Sequence, residues 1–135
     1  MKGTVNAVRD LKECNGKIAL LGYCLGALMV FLTAVRNSGV DAAVAYHGGD
    51  TEKYLGEVDG LRAPILMHLA EEDEYISKDA QAEIKAALAG KPNAMVYSYP
   101  GQRHAFTRHN GAHYDEASAK LANRRTIEFL HQHLR

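Results

Sequence analysis

The chain has 135 residues, with 16 Lys and Arg against 16 Asp and Glu. That length suits one domain, large enough to bury a core without staples. An apolar fraction of 47% with 24% charged residues argues against disorder, and the zero net charge argues against a nucleic-acid or anionic-membrane partner.

Two cysteines, Cys14 and Cys24, make no disulfide framework. The opening MKGTVNAVRDLKE lacks the apolar stretch of a secretory signal. The longest apolar run, near Ala19–Ala34, is broken by Gly22 and Gly26 and falls short of a membrane span. The expected setting is a reducing cytoplasm with free thiols.

In chain order, Val5, Val8 and Leu11 have helical spacing, so Ala7–Glu13 reads as the tail of a short amphipathic helix, ended by Asn15-Gly16. Lys17–Leu21 is a short apolar run of the kind found in a strand buried on both faces. Ala27–Arg36 is apolar nearly all round and predicts a buried helix stopped at Asn37-Ser38-Gly39. Asp41–Tyr46 and Pro64–Leu69 predict a second and a third strand, with a loop and a helical turn over residues 50–62. Ser77 predicts an N-cap for a helix over Lys78–Leu88, and Ala94–Tyr99 predicts a fourth strand. Asp115–His133 closes the chain as a long helix, with Ala119, Leu121, Ala122, Ile127, Leu130 and Leu134 on or near its buried side. Apolar strands alternating with helices specify an α/β fold: about four parallel strands with helices on both faces.

In such a sheet, chemistry gathers past the carboxyl ends of the strands. Cys24, His47, Asp73 with its acidic neighbours, and His104 occupy those positions. Gly22-Tyr-Cys-Leu-Gly26 is a Gly-x-Cys-x-Gly turn between a strand and a helix, the nucleophile-elbow pattern with cysteine as nucleophile. The sharp turn calls for glycine on both sides. The helix N-terminus favours thiolate, and the Leu25 N–H would face a developing oxyanion. His104 suits a general base, and Asp73 the acid that orients it, with Glu71, Glu72 and Glu74 as alternatives.

Gly16–Leu134 resembles the C-terminal half of the dienelactone hydrolase (carboxymethylenebutenolidase) family of α/β-hydrolases. The resemblance rests on Lys17-Ile-Ala-Leu-Leu-Gly-Tyr-Cys-Leu-Gly26, Ala45-Tyr-His-Gly48, Pro64-Ile-Leu-Met-His68 through Asp73, Tyr99-Pro-Gly-Gln-Arg-His-Ala-Phe106 and Ala122-Asn-Arg-Arg-Thr-Ile-Glu-Phe-Leu130. It implies a Cys24–His104–Asp73 triad acting on esters or lactones through an acyl-enzyme, without metal or cofactor. It also implies that Arg108 anchors a substrate carboxylate, and Tyr46 and His47 are candidates for the pocket lining. His47 stands where the family often has an aromatic residue. The family's first half, with its early strands and second oxyanion donor, has no counterpart here, so strand 17–21 is expected to offer an open edge that a second copy closes as a dimer.

Two other readings compete. One is a catalytically impaired remnant serving as a homo-oligomeric or partner-binding domain, and the other a redox-sensing thiol at Cys24. Cys14 reads as a bystander. His109 with His113 and His131 with His133 lack the partners of a zinc site.

Overall fold

The computed structural model describes residues 1–36 and 39–135. Its elements run α1 (Lys2–Arg9), β1 (Ala19–Tyr23), α2 (Leu25–Val35), β2 (Ala42–Tyr46), a 3₁₀ segment (Thr51–Gly60), β3 (Ile65–Ala70), α3 (Lys78–Ala89), β4 (Ala94–Tyr99) and α4 (Glu116–His133). The four strands form one parallel sheet in the order β1-β2-β3-β4. This is the expected α/β architecture.

Side chains alternate between the two faces of the sheet. On one face Ala43, Ala45, Ile65, Met67 and Leu69 pack against α2, the 3₁₀ segment and α3 through Val30, Phe31, Ile84 and Leu88. On the other, Ala42, Val44, Tyr46, Leu66 and Tyr99 meet α4 through Ala122 and Phe129. Every residue of β2 and β3 is buried, as the apolar runs predict. β1 and β4 are the edges and are only partly covered. On β1 the α4-side residues Leu21 and Tyr23 stay 44% and 46% exposed, because α4 does not reach that strand's outer side.

Several boundaries differ from expectation. β1 starts at Ala19, because the Lys17 N–H donates to Asn15 Oδ1 (3.0 Å) and the Ile18 N–H to Asp41 Oδ2 (2.8 Å), which takes both amides out of the ladder. α1 ends at Arg9 and leaves Val8 and Leu11 exposed, with Val5 its one buried anchor. Residues 51–60 are a continuous 3₁₀ segment rather than mostly loop. It can lie close to α2 because Gly60 has no side chain: a Cβ there would sit 2.0 Å from the Val35 carbonyl oxygen. The stop signal at residues 37–38 lies outside the described residues.

The caps follow the sequence. Ser77 Oγ accepts the Ala80 N–H at 3.1 Å, and Asp115 Oδ2 accepts the Ser118 N–H at 2.9 Å. The buried stripe of α4 is Ala119, Ala122, Thr126 and Phe129, while Ile127, expected inside, is exposed.

Candidate active site

β1 enters a tight turn at Gly22, where a Cβ would lie 2.3 Å from the Gly26 carbonyl oxygen, so only glycine fits. The second glycine is different. A Cβ on Gly26 would meet nothing within 4 Å, which corrects the expectation that space demands glycine on both sides. The collision is with the backbone of residue 26 and not with its side chain. Cys24 caps α2 with φ 54° and ψ −120°, a conformation that L-residues adopt only under constraint. Its N–H donates to the Tyr46 carbonyl (3.1 Å), and the His47 N–H donates to the His68 carbonyl (2.8 Å). These bonds extend the parallel ladder by one residue and set Cys24 beside His47.

Strain concentrates here. Among the described residues, five non-glycine residues have positive φ, and four of them, Cys24, His47, Asp50 and Ala105, line the cavities around the thiol. Such conformations cost roughly 1–3 kcal/mol each and persist where surrounding contacts enforce them.

Cys24 Sγ lies 3.1 Å from His104 Nε2, and His104 Nδ1 lies 2.8 Å from Asp73 Oδ2. The Asp73 side chain is fully buried, and its Oδ1 also accepts the Tyr75 N–H at 2.8 Å. Two of the neighbouring acids are engaged elsewhere. Glu72 pairs with Lys78 at 2.8 Å, and Glu74 pairs with Arg103. As the first residue of α2, Leu25 has an N–H with no intrahelical acceptor, and Leu25 lines the cavity on one side of the thiol.

The thiol lies above its ordinary range, because burial and the Asp73 charge both disfavour thiolate and Arg108 only partly offsets them. This opposes the helix-end effect expected from sequence. A thiol held protonated beside an imidazole becomes a nucleophile as that imidazole takes its proton.

Arg108 shares a cavity of about 290 Å³ with Cys24, Tyr23, His47 and Asn123. His47 is 1% exposed, and its Nδ1 lies 3.6 Å from Cys24 Sγ. Burial, then the neighbouring His104, lowers its pKa to about 4, so it is neutral. Tyr46, expected in the pocket lining, lies behind it. It is fully buried, with its hydroxyl 2.6 Å from Thr126 Oγ1.

Comparison with known proteins bears on this arrangement. The sequence profile of the dienelactone hydrolase family matches residues 1–134. The carboxymethylenebutenolidase of Pseudomonas putida is 32% identical over 130 residues, covering 96% of this chain and 55% of that protein. This chain belongs to the dienelactone hydrolase family. Carboxymethylenebutenolidase 1 of Cupriavidus pinatubonensis is 31% identical, covering 93% of this chain and 53% of that one. A dienelactone hydrolase-like promiscuous phosphotriesterase from metagenomic libraries superposes with a TM-score of 0.83 at 18% identity, over 97% of this chain and 59% of its own. At that identity the likeness concerns the fold. The chain thus spans about half the length of the curated relatives it matches.

Around Cys24 and the ring row behind it, four residues, Tyr75, Asn123, His68 and Thr126, escaped the sequence reading. Tyr75 is exposed and sets its ring edge-on to His104, with centroids 4.7 Å apart. Asn123 lines the Arg108 cavity while its Oδ1 accepts the Tyr46 hydroxyl at 3.3 Å. His68 is fully buried between Tyr99 Oη (2.8 Å from Nδ1) and Thr126 Oγ1 (3.0 Å from Nε2). Only the approach of α4 to the sheet gives Asn123 and His68 their places. For Thr126 a signal existed, since positions 119, 122, 126 and 129 recur at helical spacing. Among the described residues no helix is long and apolar enough to cross a membrane.

Proposed function

We propose that this chain carries the centre of a cysteine hydrolase acting on esters or lactones. The observation that supports this best is the continuous line from Cys24 Sγ through His104 to the buried Asp73, with contacts of 3.1 and 2.8 Å. Cys24 attacks the carbonyl carbon as His104 Nε2 takes the thiol proton. The tetrahedral intermediate places its oxyanion toward the Leu25 N–H. His104 then returns the proton to the leaving oxygen as the C–O bond breaks, leaving a thioester. Water, deprotonated by His104, hydrolyses it and frees the thiol. Asp73 fixes the His104 ring and stabilises the imidazolium. Arg108 faces the cavity as a cation and selects substrates that carry a carboxylate. The names of the matched relatives, carboxymethylenebutenolidases, agree with that class. With both cysteines free, the setting is a reducing one, consistent with the cytoplasm.

Mixing the protein with an activated ester tests this. The expected result is one equivalent of released alcohol in a burst, with covalent acylation of Cys24 and none in Cys24→Ala. Acylation at another residue, or no burst with a fully alkylatable Cys24, overturns it.

A second reading concerns self-association. Leu21, Tyr23 and Met29 are exposed apolar residues on or beside the edge strand β1. Open apolar edges invite pairing, and a second copy is the occupant proposed here. Light scattering at micromolar concentration should give a dimer, and a clean monomer overturns that reading.

A further inference from the structure

We infer that Cys24, His47 and His104 together form a binding site for a borderline-soft divalent cation such as Zn²⁺. This goes beyond the hydrolase reading and does not depend on it.

The three side chains bring Sγ, an imidazole nitrogen and a second imidazole nitrogen within 4.8 Å of one another. Tetrahedral zinc, with Zn–S about 2.3 Å and Zn–N about 2.0–2.1 Å, needs sulfur and nitrogen about 3.6 Å apart. Cys24 Sγ and His47 Nδ1 are already 3.6 Å apart. Cys24 Sγ and His104 Nε2, at 3.1 Å, have to open by about 0.5 Å, and the two imidazole nitrogens, within 4.8 Å of each other, have to stand about 3.3 Å apart.

One of the two imidazoles also has its supporting partner. His104 offers Nε2 to the centre while Nδ1 is held by the Asp73 carboxylate, the carboxylate–histidine–metal arrangement that fixes tautomer and ring. His47 is buried, and its Nδ1 has the thiol as its side-chain contact. Among the described residues its buried Nε2 has no hydrogen-bond partner, so packing holds the ring. Cys24 and His47 also line the Arg108 cavity, from which water can reach the centre. With the metal bound, the charges around the centre are the Cys24 thiolate, Asp73 and the opposing Arg108.

His47 is the residue that completes the set. Cys24 and His104 are accounted for by the hydrolytic line, whereas a third ligand atom at tetrahedral distance is not. On binding, the thiol proton leaves to solvent as the Zn–S bond forms. The occupied centre holds both the nucleophile and the base, so zinc is a reversible inhibitor of any chemistry at Cys24.

The test uses the wild-type chain, metal-free and reduced, titrated with Co²⁺ and then Zn²⁺. One equivalent of Co²⁺ should give a thiolate-to-cobalt charge-transfer band, which Zn²⁺ displaces and which is lost in Cys24→Ala, where Cys14 remains as an internal control. X-ray absorption of the zinc-loaded wild type should show one sulfur and two imidazoles. Zn²⁺ should slow alkylation of Cys24 by at least the ratio of bound to free protein. Asp73→Asn should weaken zinc by about 10–100-fold, and His47→Asn by more than that. No charge-transfer band, a band that survives Cys24→Ala, or a spectrum with fewer than two imidazoles overturns the assignment. These readouts need no ester turnover, so an inactive but zinc-binding protein defeats the hydrolase reading alone.

Discussion

The two faces of the sheet are built on different principles. The face under α2 and α3 is predominantly apolar, with Phe31, Ile65, Met67, Leu69, Ile84 and Leu88 at its centre. The face under α4 carries a row of rings in strand register, Tyr23, Tyr46, His68 and Tyr97. Successive centroids are 4.7, 4.2 and 6.3 Å apart, and the Arg125 guanidinium lies 3.8 Å over the last ring. Thr126 Oγ1 joins Tyr46 and His68 from the helix. Cys24 and His47 are the residues that follow Tyr23 and Tyr46. One face therefore supplies stability through area removed from water. The other fixes the direction in which two strands end, and so where the thiol and His47 stand.

The largest expected effect lies at the strand ends and should leave both faces intact. Asp73→Asn keeps the size of the side chain but presents an amide to His104 Nδ1, which favours the wrong tautomer. The equivalent change in a serine triad lowers turnover by roughly 10⁴-fold. A similar loss of ester hydrolysis is expected with an unchanged unfolding midpoint. A variant within tenfold of wild type would remove Asp73 from the mechanism.

Breaking the hydrocarbon face should do the reverse. Ile84 is fully buried in α3, within the apolar cluster of that face. Ile84→Ala should cost about 2–5 kcal/mol, read by urea unfolding, while Cys24 in the folded fraction alkylates at the wild-type rate. Slower alkylation would mean that the apolar face also positions the thiol.

Much of this division was legible in the sequence. The apolar runs 41–46 and 64–69 gave the two central strands, and Gly22-Tyr-Cys-Leu-Gly26 gave the turn and its strained residue. Cys24, Asp73 and His104, picked out past three strand ends, stand in space as the line Cys24–His104–Asp73, with the residue that is last in the chain in the middle. What stayed hidden depends on contacts distant in sequence. His68 sits in a run that reads as plain core until Tyr99 and Thr126 meet it from other elements. Tyr46 looked like a pocket residue because it ends a strand, yet α4 covers it. Which of four adjacent acids faces His104 is decided by the Tyr75 N–H and the loop it closes, not by composition.

The polar face should break more gently. Thr126→Val keeps shape but leaves the Tyr46 hydroxyl and His68 Nε2 without their shared partner, costing roughly 1–3 kcal/mol. Unlike Ile84→Ala, it should also alter the alkylation rate of Cys24, since Tyr46 precedes His47. Equal alkylation rates in wild type and variant would deny the face its positioning role.

The smallest effect at neutral pH grows on acidification. Burial first, then the Arg125 charge, lowers the His68 pKa from 6.5 to about 3, and burial first, then His104, lowers that of His47 to about 4. In the unfolded chain both rings take up protons below about pH 6.5, while the native chain keeps them neutral. The unfolded state then binds more protons, so stability falls as pH falls. The contribution is whole above pH 6.5 and is lost progressively toward pH 4 and below. Each ring adds up to about 1.4 kcal/mol per pH unit to that slope. Urea unfolding in a pH series should show the slope, and His47→Phe should remove about half of the part due to the two rings. A wild-type stability that stays level between pH 6.5 and pH 4 would mean that both rings are protonated in the native state, and with a charged His68 the row could not be the neutral stack that aims the strand ends.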